Sequence, residues 1–71
     1  MTDVHVALQA LSQAARLEEE GLAFYREAAR RVADERAERT LLSLADDERR
    51  HLEMVRRQLH ALEGEGRYVL L

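Results

Sequence analysis

The chain has 71 residues and a net charge of -3, and it contains no Cys, Pro or Trp. Without Cys there is no disulfide framework, thiolate zinc site, iron–sulfur centre or cysteine nucleophile. No run of five like charges offers a basic arm to nucleic acid, and no apolar stretch nears the ~20 residues of a membrane helix.

Residues 1–9 lack the basic start and cleavage site of a secretory signal. The expected location is the cytoplasm, or the inside of a protein compartment there. A lone domain of this size buries only about 60% of its unfolded surface. With disulfides excluded, a metal or a partner chain is the expected staple. Absence of Pro, with many Ala, Leu, Glu and Arg, makes the expected fold all-α.

Thr2 or Asp3 caps a first helix predicted over about residues 3–32. Residues 33–36 are the one plausible turn, with Asp34 as a candidate N-cap for the next helix. The second helix is predicted over about 37–62 and stopped by Gly64. A short tail with an apolar end, 64–71, follows. The whole is a single antiparallel two-helix hairpin.

The apolar positions of each helix follow a heptad. In the first helix one stripe reads Val4, Leu11, Glu18, Tyr25, Val32, with Leu8, Ala15, Leu22 and Ala29 beside it. Ala7, Ala14, Gly21 and Ala28, and then Ala10, Leu17 and Phe24, widen the face. In the second helix Leu41, Glu48, Val55 and Leu62 run beside Ala45, Leu52 and Leu59. Leu44, His51, Gln58, Met54 and Ala61 widen that face. Both faces are broader than the seam of a two-helix hairpin. Two such chains forming a four-helix bundle would bury the surplus. The opposite faces carry Glu27/Arg31, Glu35/Arg39, Asp46/Arg50 and Glu53/Arg57 at i,i+4, acid first, as solvated helices do. Val6 and Leu42 point outward, as isolated apolar residues commonly do.

Three polar residues interrupt the core rows: Glu18, Glu48 and His51. A carboxylate in a core is costly unless it is paired, protonated or bound to metal. Glu18 lies sixteen residues before Asp34 and Glu48 fourteen after it. At 1.5 Å rise per residue, a hairpin turning there sets the two within about 3 Å of one height. His51, three residues past Glu48, shares its face. Of Glu18, Glu19 and Glu20, only Glu18 continues the core stripe. The three side chains therefore form a candidate metal site. The bland alternative is a buried Glu–His pair that fixes the register of a dimer. Tyr25, two turns from Glu18, is a core ring whose hydroxyl needs a partner, with a contact to a ligand carboxylate as the sharper reading.

At these residues the segments LEEEGLAFYREAA (17–29) and LADDERRHLEMV (44–55) resemble the rubrerythrin-type diiron carboxylate proteins of the ferritin-like superfamily. The resemblance implies a ferritin-like four-helix bundle, with Glu18, seven residues before Tyr25, and the Glu48-x-x-His51 pair as iron ligands. A single hairpin is similar to the encapsulated ferritins, whose site forms between chains. That likeness implies a homodimer, or a higher oligomer, with two iron ions per dimer held by Glu18, Glu48 and His51 of each chain. It also admits an encapsulating shell protein as a partner. Rubrerythrins proper carry a cysteine-ligated rubredoxin centre, which this chain excludes.

The implied activity is that of an oxidoreductase of ferroxidase type. Fe(II) is oxidised with oxygen or peroxide at a site shared between two chains. The alternative is a non-enzymatic metal-binding or structural dimerisation module. Manganese or zinc in place of iron are further alternatives, because ligand type alone does not separate them.

Overall fold

A computed structural model describes residues 3–65 of the chain. Two helices, α1 (Asp3–Arg31) and α2 (Glu35–Glu65), pack against each other as an antiparallel hairpin. The molecule measures 49 × 19 × 13 Å, close to the length of one such helix and the thickness of one helix layer.

The turn is made by Asp34. Its Oδ1 accepts the backbone N–H of Arg36 at 2.8 Å and of Ala37 at 3.4 Å, and its carbonyl accepts the N–H of Glu38 at 3.0 Å. That satisfies donors that a helix start otherwise leaves unpaired. Because Asp34 is the cap, α2 begins at Glu35, two residues ahead of the expected start. Acidic Glu35 and Glu38 in its first turn, and basic Arg30 and Arg31 in the last turn of α1, suit the helix dipoles. At the far end α2 runs through Gly64, the expected stop, to Glu65. A glycine caps a helix only when it leaves helical geometry, and Gly64 keeps it. Of the expected tail, residues 66–71 lie outside the described part, as does Thr2, one of the two expected caps of α1.

The core is thin. Among the described residues only Ala15, Ala29, Ala45, Leu52 and Leu62 are buried. These lie on the seam where the two heptads meet. In the rows one residue ahead of the seam Leu17, Phe24, Leu44 and Met54 are exposed, Phe24 at 66%. In an antiparallel pair the rows ahead of each seam fall on the same side of the hairpin. These four residues therefore share one face. The rows one residue behind the seam share the other face, where Glu19 and Arg56 form an ion pair across the helices. One side of the hairpin is closed by charge, and the other is left apolar.

The surface pairs follow the expected spacing in part. Arg31 donates to Glu27 at 2.9 Å and Arg50 to Asp46 at 2.7 Å, and Arg39 lies 3.5 Å from Glu35. Glu53 lies 3.6 Å from Arg49 rather than pairing with Arg57. Among the described residues no helix is long and apolar enough to cross a membrane. Gly21 stands in the middle of α1, where glycine costs about 0.5–1 kcal/mol relative to alanine.

Candidate metal centre

The polar residues at the seam converge. Each of Glu18, Glu48 and His51 offers one ligand atom, and these atoms all lie within 4.8 Å of one another. His51 Nδ1 is 3.9 Å from Glu18 Oε2. Helix geometry explains the meeting. Glu18 continues the α1 stripe that faces α2, and Glu48 continues the α2 stripe that faces α1. His51, at i+3 from Glu48, leans from the seam toward the open apolar face. Burial follows the same gradient: both carboxylates are partly covered, whereas the His51 side chain is 55% exposed.

The two carboxyl groups hold one another in tension. A hydrogen bond between them pushes Glu48 above the usual carboxyl range. Partial loss of solvent and the charge of Glu18 push the same way, while His51 pulls against them. Carboxylates this close do not both ionise freely without a cation.

The donor set fits a metal ion. Two carboxylates and an imidazole suit iron, manganese and zinc. Ligand atoms about 2.1 Å from one ion lie at most about 4.2 Å apart. The three ligand atoms, within 4.8 Å of one another, can close onto one ion by side-chain rotation at the helix surface. Among the described residues no buried polar atom lacks a partner, so the seam takes up these groups without a desolvation fault.

Residues 9–70 match the Rubrerythrin family model. The chain belongs to the rubrerythrin family. Members of this family generally bind iron, and the segment matched contains Glu18, Glu48 and His51. No curated protein and no solved structure gives a significant match.

The Tyr25 ring packs edge-on against Phe24, with centroids 5.5 Å apart and planes at 71°. Within one chain it makes no hydrogen bond to Glu18, Glu48 or His51. Glu19 and Glu20 are exposed, and Glu19 is engaged by Arg56 rather than by the site. Gln58 is partly buried near the end of its row, away from the triad. One contributor escaped the sequence reading. An ideal Cβ built on Gly21 would meet Glu48 Oε2 at 3.0 Å, Cδ at 3.4 Å and Cγ at 3.7 Å. In the sequence Gly21 is one small residue in a row of alanines. The only hint was that a mid-helix glycine has a cost.

Proposed function

We propose that this protein is a diiron carboxylate oxidase whose site is completed by a second copy of the chain. The observation that supports this is the convergence of Glu18, Glu48 and His51 at the edge of an apolar face that one hairpin leaves open. In four-helix diiron bundles the metal is held by a Glu from each of two helices and a Glu-x-x-His from each of the other two. One chain supplies one Glu and one Glu-x-x-His, which is half the set. Burying Leu17, Phe24, Leu44 and Met54 against the same face of a second copy completes the core. It also brings a second triad to the first.

Glu18 and Glu48 would hold iron through hard oxygen donors and His51 through an imidazole nitrogen. Bound iron supplies one-electron chemistry between Fe(II) and Fe(III) toward oxygen or peroxide. The chain supplies the rest. A carboxyl group would hold metal only in its ionised form, so the raised proton affinity of Glu48 competes with uptake, which strengthens as pH rises. Charge left by two anionic ligands favours the higher oxidation state of a bound ion. His51, on the open face, is covered only when a second hairpin docks, which ties the closing of the site to assembly.

Mixing the protein with Fe(II) in air and following Fe(III) absorbance tests the reading. Wild type is expected to oxidise Fe(II) well above the buffer rate. Glu48→Ala and His51→Ala are expected to fall to that rate. Wild-type behaviour in Glu48→Ala would sink the proposal. Metal uptake without any oxidation would leave a metal-binding dimerisation module in its place.

A further inference from the structure

The placement of Gly21 carries a role beyond the ligands themselves. All three of the nearest heavy atoms to its absent Cβ belong to one side chain, that of Glu48, and none belongs to the backbone of α2. Gly21 is therefore not needed to let the two helices approach. What lies over its Cα is the Glu48 carboxylate, with Oε2 at the limit of what a real Cβ tolerates, 3.0 Å. A glycine in the interior of a helix weakens it, and the rest of its row is alanine, so a methyl group would suit the helix better.

We propose that Gly21 is a positioning residue for the metal centre: the missing side chain is the space in which the Glu48 carboxylate lies while it faces Glu18 and His51. This rests on the metal reading above. Alanine at this position does not disturb the fold, because the atoms it meets are the far end of a flexible side chain. They move and the helices stay. The displacement acts on the one feature that tolerates little movement. The three ligand atoms already span up to 4.8 Å and must draw together to share an ion. Sites of this kind work only within about 0.5 Å of their productive geometry. Pushing Glu48 off the Gly21 surface moves it by a comparable amount.

The test is Gly21→Ala in the full chain, with Gly64→Ala as a control, since an added Cβ at Gly64 meets nothing within 4 Å. Co(II) is the probe, because its visible absorption reports the ligand geometry. Three readings are taken: solution mass, melting of the metal-free protein, and Co(II) titration. Gly21→Ala is expected to keep wild-type mass and to melt a few degrees higher without metal. It is expected to bind Co(II) about 10–100-fold more weakly with an altered spectrum, as when groups that orient a ligand are changed. Gly64→Ala is expected to bind as wild type does. Equal Co(II) affinity in wild type and Gly21→Ala overturns the assignment. So does weaker binding accompanied by a lower solution mass, which would make Gly21 a packing residue between chains. Wild-type protein that takes up no Co(II) overturns the metal reading, and the assignment falls with it.

Discussion

Glu48 binds a proton in the folded chain at pH values where the unfolded chain has released it, because its hydrogen bond to Glu18 holds it above its ordinary value of 4.5. The folded state then carries more bound protons than the unfolded one. Stability of the metal-free protein therefore falls as pH rises from about 4.5 through the raised value. Glu27 and Asp46 act in the opposite direction. Hydrogen bonds from Arg31 and Arg30 lower Glu27, and those from Arg49, with the charge of Arg50, lower Asp46. Their contribution is present above the unfolded values and is lost as pH falls through the lowered ones. Metal-free protein is thus expected to be most stable in mild acid, and thermal melts in chelator across that range check this. Glu48→Gln is expected to flatten the decline on the neutral side and leave the acid side alone. Equal neutral slopes in the two proteins would count against a shared proton. The ligand candidates were legible in the sequence for one reason: a core stripe has no use for a charge, so Glu18, Glu48 and His51 stood out. Gly21 did not, because its meaning lies on the other helix. Small residues in a row of small residues carry no sign of what rests on them.

The helices and the bounds of α1 were readable in the sequence, and the ends of α2 were not. Heptad spacing says which residues face inward, but a boundary is decided by a few hydrogen bonds at the cap. Asp34 places the start of α2 by accepting the N–H groups of Arg36 and Ala37. Gly64, which has the composition of a stop, stays helical because composition permits a cap without enforcing one. The turn contains no Gly or Pro, so Asp34 is the local feature that ends one helix and begins the next. Asp34→Ala is expected to cost about 1 kcal/mol. For a chain of this size that lowers the melting temperature by roughly 4–8 °C. Asn at the same position keeps the acceptor oxygen and is expected to recover most of the loss. Melting curves of the three proteins at one concentration decide it. An Asp34→Ala protein that melts with wild type would mean that packing of the seam, not the cap, sets the turn.

At the scale of the whole molecule, the imbalance between core and surface is the controlling fact. Among the described residues three alanines and two leucines are buried, while Leu17 at 57%, Phe24 at 66% and Met54 at 53% lie open. A hairpin with so little inside gains much of its stability from whatever covers that face, so folding and assembly are expected to be one process. Two interventions separate the contributions of core and metal. Phe24→Glu places a charge where a second copy would remove water, and an unpaired charge there is strongly disfavoured. It is expected to shift the solution mass from dimer to monomer and to reduce helicity at the same protein concentration. On the proposed function, chelation of wild-type protein removes the metal and leaves the apolar face, so it is expected to lower the melting temperature and weaken the proposed dimer without abolishing it. Melting temperature should rise with protein concentration in both forms, and more steeply once the metal is gone. Sedimentation and melting that are identical with and without chelator would count against a metal site between chains. A Phe24→Glu protein that stays dimeric would mean that the chains meet on another face, and that Glu18, Glu48 and His51 of each hairpin serve one ion alone.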